Sequence, residues 1–457
     1  MKKRRLLKRE ILKQFRIILM FITLCFPLLG IAQSFELPKD QDFQKIRFQL
    51  VNNLIIIPLE VNGSELSFVL DSGVNKPILF NITDQDSIQI NNVSEITIRG
   101  LGEGEPIKAL SSRGNTFKLK NIQNKNQLLY VVMDKGLNLS PSLGIPVHGI
   151  IGYDLFRDFV VDINYNTKVI KFYDPQKYRY KDNTNSETLP LTIIRRKAYM
   201  NGKVFMENAN NVPVRLLVDT GSSDAIWLFE DDEIGIPDQN YDEFLGKGLS
   251  GNIFGKRTKV NSIRLGKFAL RNAKAAFPDT NSYGAVKNLG NRNGSIGGEV
   301  LKRFNIVIDY TNNKITLRKN NNFKSPFHYN LSGIALQHDG VRYVSESLTN
   351  SNGVVKYSEG TFGNVQILLE NRTRLSVVPE IIVSGIRAGS PAEEAGIREG
   401  DVILAVNGKS IHKYKIQEIM HMLDEKEGKR IRVLIERYNR DLLFSFVLEN
   451  MFKQKKP

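Results

Sequence analysis

For most of its length the chain alternates short apolar runs with polar turns. Leu54-Ile55-Ile56-Ile57, Lys168-Val169-Ile170-Lys171-Phe172 and Asn305-Ile306-Val307-Ile308 are β-rich and are bounded by Asn, Gly or Asp. Branched side chains suit a pleated surface and turn residues close each run, so these segments predict strands. Short helices are expected near Tyr153–Asp158 and Glu299–Arg303, one in each half of this β-rich region. Lys415–Leu423 has helical apolar spacing, and Ile431–Ile435 and Leu442–Leu448 read as strands beyond it. The run from Ile18 to Ile31 stands apart. It follows a basic stretch, is interrupted by Pro27 and ends in the small-x-small site Gly30-Ile31-Ala32 before Gln33. That is the layout of an export signal over residues 1–32. A spanning helix needs roughly 20 apolar residues, more than this run supplies. The long basic region keeps an uncleaved inner-membrane anchor as the alternative to a periplasmic or secreted product.

The middle of the chain is duplicated. Phe68-Val69-Leu70-Asp71-Ser72-Gly73 recurs as Leu216-Leu217-Val218-Asp219-Thr220-Gly221. The glycine-rich turn Gly100-Leu101-Gly102-Glu103-Gly104 recurs as Gly246-Lys247-Gly248-Leu249-Ser250-Gly251. Ile150-Ile151-Gly152 recurs as Ser295-Ile296-Gly297, and the pair Phe159 and Tyr165 as Phe304 and Tyr310. All landmarks keep their order at a spacing of about 145–148 residues, the signature of a repeat with small loop insertions. The polar stretch Lys177–Glu187 is the expected linker between copies.

A single Asp-Ser-Gly or Asp-Thr-Gly is ordinarily a turn. Two copies, each behind three apolar residues, suggest two carboxylates meeting on one water. Neighbouring carboxylates cannot both ionise cheaply, so such a pair shares a proton and supplies a base and an acid together. Asp71 and Asp219 are the candidate catalytic residues. Ser72 and Thr220 would hydrogen-bond beneath them, and Gly73 and Gly221 would let backbone approach where a Cβ would clash.

These motifs resemble the retropepsin-like aspartic proteases, in a form with both motifs on one chain. The resemblance spans roughly residues 45–320. It implies a mainly β fold with two tandem β-barrel lobes, 33–180 and 188–320, and a cleft that binds an extended polypeptide. It implies flaps at Gly100, Gly102 and Gly104 and at Gly246, Gly248 and Gly251. Val74 stands where the family usually has Ala or Ser, Asn75-Lys76-Pro77 are unusual neighbours, and Ser295 takes an apolar position. These departures keep a non-catalytic peptide-binding protein as the alternative.

Residues 328–450 form a different unit. Ser390-Pro391-Ala392-Glu393-Glu394-Ala395-Gly396-Ile397, followed by Gly400-Asp401-Val402-Ile403-Leu404-Ala405-Val406-Asn407-Gly408, resembles the bacterial PDZ domain, an α+β fold. Pro and Ala open a short helix, Gly396 ends it, and Asn407-Gly408 makes a tight hairpin. The resemblance implies a groove for a peptide or protein C-terminus, with backbone amides holding the carboxylate. Leu331, Ser332, Gly333 and Ile334 are the candidate loop. The other reading is a domain that packs on the protease.

Composition narrows the chemistry. The 457 residues suggest about three domains. Removing residues 1–32 leaves 56 basic against 47 acidic residues, so the net charge falls from +16 to +9. The surplus forms no basic stripe with aromatics, which argues against nucleic acid. Cys25, the sole cysteine, lies in the export segment, so a mature chain has no disulfide, thiol nucleophile or thiolate metal site. The five histidines show no metal-ligand spacing, and no metal or cofactor is implied. No Gly-x-Ser-x-Gly elbow is present. Trp227 is expected in a core.

Overall fold

The computed structural model describes residues 34–82, 88–181, 183–206, 211–287, 292–349, 354–356, 366–368 and 371–452. The expected export segment lies outside them. Among the described residues no helix is long and apolar enough to cross a membrane.

Each copy of the repeat folds into an eight-stranded sheet with one and the same strand order. In lobe 1 the order is Gln49–Val51, Leu54–Val61, Ser64–Leu70, Gly149–Ile151, Ile78–Leu79, Ile122–Val132, Ile107–Leu119, Val93–Ile98. In lobe 2 it is Thr192–Ile194, Lys197–Phe205, Val212–Val218, Gly294–Ile296, Ile226–Leu228, Phe268–Pro278, Gly251–Leu265, Tyr241–Gly248. A further pairing of the second strand with the seventh curls each sheet toward a barrel. Strand burial alternates where one face is solvated and is continuous where both faces are covered, as in Phe68, Val69 and Leu70.

The two lobes are not joined only by a linker. A six-stranded sheet runs Phe43–Arg47, Val169–Tyr173, Val160–Asn164, Phe304–Asp309, Lys314–Lys319, Ser186–Pro190. At its centre Ile163 pairs with Ile306, one strand from each lobe. Ser186 and Glu187, expected in the linker, instead begin its last strand, pairing with Arg318 and Leu317; Pro190 closes that strand at the sheet edge, where a ladder donor is not needed. One hydrophobic core therefore runs through both lobes. Phe159, Tyr165, Phe304 and Tyr310 are all buried in it. The expected short helices are Tyr153–Asp158 and Gly298–Leu301.

The C-terminal unit has its own core and its own sheet: Ile334–Thr349, Asn371–Ile386, Val402–Val406, Arg430–Arg437 and Arg440–Val447. Ser390 caps helix Pro391–Glu394 by accepting from the Glu393 amide. Asn407 and Gly408 both have positive φ in a tight hairpin. The amphipathic helix is Ile416–Leu423, which buries Ile416, Ile419 and Leu423.

Candidate active site

The repeated motifs meet because the sheets force them together. In lobe 1 strand Ser64–Leu70 lies parallel to Gly149–Ile151, with Leu70 beside Ile151. In lobe 2 Val218 lies beside Ile296 in the same way. The amides of Asp71 and Asp219 then donate to the carbonyls of Ile151 (2.8 Å) and Ile296 (3.0 Å). Gly152 follows because a Cβ there would stand 1.7 Å from the Asp71 carbonyl oxygen. The apolar-Gly element is thus the backstop that fixes where each aspartate leaves its strand.

Four crossed hydrogen bonds lock the two turns beneath the carboxylates. The Ser72 amide donates to Thr220 Oγ1 (2.9 Å), and the Thr220 amide donates to Ser72 Oγ (3.0 Å). Ser72 Oγ donates to the Val218 carbonyl (2.6 Å), and Thr220 Oγ1 donates to the Leu70 carbonyl (2.7 Å). Both side chains are fully buried, so every donor and acceptor here needs its partner. Tyr310 reaches the Ser72 carbonyl from below (3.4 Å).

The carboxylates face one another above this lattice. The Gly73 amide donates to Asp71 Oδ1 (2.6 Å) and the Gly221 amide to Asp219 Oδ1 (3.1 Å). A Cβ on Gly73 would sit 3.1 Å from Asp71 Oδ1 and 3.2 Å from Asp219 Oδ1, so both acids converge on one point. A Cβ on Gly221 would sit 2.1 Å from Asp71 Cγ. Burial raises the Asp71 carboxyl, and the charge of Asp219 raises it further, up to about 8. Burial raises Asp219 too, while Arg292, Lys197, the Gly221 amide and a hydrogen bond from Asp71 pull it down. Both carboxyls are thus raised, Asp71 by its neighbour's charge as well as by burial.

The two glycine-rich turns, one from each lobe, meet at their tips. The Ser250 amide donates to the Leu101 carbonyl (2.8 Å), and the Gly104 amide donates back to the Ser250 carbonyl (2.6 Å). The Gly100 amide donates to Ser250 Oγ (3.0 Å). Gly102 has φ +121, and a Cβ there would sit 2.6 Å from the backbone of Ser250. Gly248 packs on the Leu101 carbonyl, while Gly246 (φ +145) and Gly251 (φ +108) shape the second tip. A cavity of about 570 Å³ lies beside these tips, lined by Gly104–Lys108, Met133, Leu137 and Lys247–Gly251, and neither aspartate borders it.

The two lobes share a strand order, and two family matches cover them. The aspartyl protease family matches residues 57–155 and again 203–300, and the PDZ domain family matches residues 382–437. The chain carries two aspartyl protease segments and a PDZ domain. The two aspartyl protease segments hold Asp71 and Asp219 respectively. A solved aspartic proteinase from Irpex lacteus is 12% identical, with a TM-score of 0.39, and the match covers 62% of this chain and 99% of that one. A probable CtpA-like serine protease of Staphylococcus aureus (strain COL) is 41% identical over 58 residues, 13% of this chain and 12% of that protein. The carboxy-terminal processing protease CtpA of Bacillus subtilis (strain 168) is 40% identical over 57 residues, 12% of each. The chain thus spans about an eighth of the length of these curated relatives.

The backbone amides of the candidate loop, residues 331–334, are all taken by neighbouring side chains. The amides of Leu331 (3.0 Å) and Ser332 (3.3 Å) donate to Asp424 Oδ1, and the Gly333 amide donates to Asn330 Oδ1 (2.7 Å). The Ile334 amide donates to Ser332 Oγ (3.3 Å). Burial pushes Asp424 up to about 6, against the pull of these Ser332 and Leu331 contacts. The turn Ser140–Gly144 of lobe 1 packs on strand Ile334–Thr349 and helix Ile416–Leu423, and Gln417 Nε2 donates to the Leu143 carbonyl (2.8 Å). Arg387 lies 4.7 Å over the ring of Tyr241 on the second flap hairpin.

Motif reading missed two cations and an ion network. Lys197 and Arg292 act on the dyad but belong to no motif. The buried network joins Asp224, Arg257, Glu243, Lys274 and Glu299. Trp227 is buried and donates to Asp224 Oδ2 (2.9 Å).

Proposed function

We propose that the chain is an aspartic-type endopeptidase that hydrolyses peptide bonds with a water held by Asp71 and Asp219. The observation that carries this reading is the facing pair of buried carboxyls, both raised by burial and each tied to a glycine amide. Ionised Asp219 takes a proton from the water as it attacks the scissile carbonyl carbon. Protonated Asp71 gives its proton to the carbonyl oxygen, leaving a gem-diol. Collapse of the gem-diol returns a proton to the leaving amine and breaks the C–N bond. The flaps exclude bulk water and hold the extended chain. The serine-protease names belong to relatives matched over too short a segment to carry a catalytic domain.

The decisive experiment follows cleavage of a denatured protein mixture from acid to neutral pH by the chain beginning at Gln33. Cleavage by wild type that vanishes in Asp71→Asn and in Asp219→Asn supports the reading. An intact fold that cleaves nothing at any pH favours a peptide-binding protein instead.

Two further parts of the reading have separate tests. The layout of residues 1–32 supports export with cleavage before Gln33, and the N-terminal sequence of the exported product checks it. The PDZ match supports recruitment of a peptide or protein C-terminus. A labelled C-terminal peptide titrated onto the full chain should bind more tightly once Gln417→Ala loosens the seat of Ser140–Gly144.

A further inference from the structure

The repeat permits a position-by-position comparison of the two cleft walls. In lobe 1 the hairpin Val51-Asn52-Asn53-Leu54 turns through two residues of positive φ, 47° and 66°. In lobe 2 Ile194-Arg195-Arg196-Lys197 makes the same turn, with φ of 48° and 68°. Leu54 and Lys197 therefore occupy matched positions. The ladders extend the match. Ile56 pairs with Val69 in lobe 1 and Tyr199 with Leu217 in lobe 2. The ladders end there; continued by two residues, each register would set Leu54 against Asp71 and Lys197 against Asp219.

A second pair follows from the strand that backs each aspartate. The Phe80 amide donates to the His148 carbonyl, and the Phe229 amide donates to the Asn293 carbonyl, both at 2.7 Å. The residues just before these acceptors, Val147 and Arg292, are again matched. Lobe 1 has Leu and Val at the two positions; both are buried in one apolar cluster. Lobe 2 has Lys and Arg there.

Arg292 is only 8% exposed, and its Nε has no hydrogen-bond partner. Its guanidinium lies 5.0 Å from the centre of the Phe229 ring, which stacks on Tyr283 at 4.2 Å. Among the described residues, neither the Lys197 ammonium nor the Arg292 guanidinium has a hydrogen-bonded or ion-paired partner. A buried cation without a partner is costly, and the like charge of half-buried Lys197 adds to the cost at Arg292. Asp219, the acid that feels both charges, is itself raised by burial and is committed to the dyad. The pair is one anion short.

We infer that Lys197 and Arg292 form an anion subsite on the lobe 2 wall of the cleft, taking a carboxylate of the polypeptide substrate beside the scissile bond. This rests on the protease reading for its substrate class. The matched lobe 1 positions, Leu54 and Val147, are apolar and buried and offer a carboxylate nothing. The enzyme thereby has a direction: an acidic group is favoured on one side of the cut and not on the other. A polypeptide can offer a carboxylate from Asp or Glu or from its own terminus.

Binding is measured by fluorescence anisotropy on full chain carrying Asp71→Asn, so that nothing is cut. Three labelled peptides are compared: one with an internal Glu and an amidated end, its Gln counterpart with an amidated end, and the Gln peptide with a free carboxylate end. The Glu peptide should bind about tenfold or more tightly than its amidated Gln counterpart, as charge-assisted hydrogen bonds are strong. A free end that matches Glu identifies the terminus as an equal source. Lys197→Leu and Arg292→Val, the residues lobe 1 carries, should remove the preference, and Lys197→Met serves should Arg292→Val fail to fold. Equal binding of all three peptides overturns the inference, as does a preference that survives both replacements. Cleavage products mapped with wild type separate the two claims. Cuts with no acidic enrichment sink the subsite alone; no cuts, with the binding preference intact, sink the protease reading alone.

Discussion

Lobe 1 and lobe 2 share one strand order but satisfy their buried polar groups by different means. In lobe 1 the buried Asp154 accepts from Gln127 Nε2 (2.8 Å), and Gln127 Oε1 accepts from Asn124 Nδ2 (2.7 Å). Asn115 Nδ2 donates to Ser112 Oγ nearby (2.9 Å). This is largely an amide and hydroxyl network, touched at its edge by Arg157. In lobe 2 Glu299 is paired with Lys274 (2.5 Å), while Asp224 receives both bonds of Arg257 Nη1 (2.8 and 2.7 Å). Arg257 Nε reaches Glu243 (2.6 Å), and Glu243 faces Arg387 of the PDZ domain (4.0 Å). A duplicated backbone has thus left one lobe with a single buried acid held mainly by amides and given the other a buried network of ion pairs. The ionic lobe also carries the cations beside the dyad and contacts the PDZ domain through its flap strand. Buried ion pairs are poor sources of net stability but costly to break.

The largest effect should come where the lobes meet. Asp71→Asn and Asp219→Asn should each lower cleavage by at least the 10²–10⁴-fold that acid–base groups contribute, read as kcat/KM on a peptide. Their stability should move the other way. Asp71 is raised in the fold from an ordinary 3.8 to about 8, so the folded state binds its proton more tightly than the unfolded chain. Its ionisation costs stability increasingly as pH rises through that interval. Asp71→Asn should therefore melt at a higher temperature than wild type near pH 8, with the gap closing toward pH 4. A lower Tm for the variant across that range would show that the dyad is not strained by its own charge.

The ionic interior is the next place to break the comparison. Asp224→Ala leaves Arg257 and Lys274 buried without their shared anion, and should cost about 3–5 kcal/mol in urea denaturation. Gln127→Ala in lobe 1 removes an amide between Asn124 and Asp154 and should cost about 1–3 kcal/mol. The Asp224 effect has a pH signature. Burial pushes Asp224 up, but Arg257 and Lys274 outweigh it and hold it at about 2, below its ordinary 3.8. A depressed carboxyl contributes its stability above the unfolded value and loses it as pH falls through the folded one. The wild-type advantage over Asp224→Ala should be full above about pH 4 and shrink toward pH 2. A gap independent of pH would assign the loss to packing.

Much of this fold could be read along the chain, and the reasons are local. Strand runs, the helix at Tyr153–Asp158 and the Asn407-Gly408 hairpin depend on neighbouring residues. The repeat spacing was enough to pair Asp71 with Asp219 and Ile151 with Ile296 as equivalents. Long-range pairings were not legible: nothing in Ile163 or Ile306 announces that they face each other across the lobes. Lys197 and Arg292 were invisible to a search for motifs, because only their alignment with Leu54 and Val147 makes a charge there unusual. Asp424 was hidden for a similar reason. A carboxylate at a helix end is ordinary until its distance to the Leu331 amide is known.

A clash test compares the glycines of the two motifs. Gly73→Ala places its Cβ about 3.1 Å from a carboxylate oxygen, a contact that a slight shift relieves, whereas Gly221→Ala drives its Cβ to 2.1 Å from Asp71 Cγ. Asp71 cannot yield easily, being held by the Gly73 amide. Displacement of a reacting group by about 1 Å can cost roughly 10²-fold, so Gly221→Ala should lose about that in kcat and Gly73→Ala markedly less. Equal losses would mean that the two turns are interchangeable around the water.

The smallest difference lies in the crossed hydroxyls. Ser72→Ala leaves the Thr220 amide and the Val218 carbonyl unmet; Thr220→Ala leaves the Ser72 amide and the Leu70 carbonyl unmet. An unsatisfied buried group costs about 1–3 kcal/mol, so each variant should be destabilised by at least that much. Thr220→Ala also deletes a buried methyl, worth about 0.8 kcal/mol more. Thr220→Ser keeps the hydroxyl and should lose only that last increment. Urea denaturation of the three variants then separates hydrogen bonding from packing. Should Thr220→Ser cost as much as Thr220→Ala, the methyl holds the lobes in register, and the hydroxyl lattice under Asp71 and Asp219 is incidental to it.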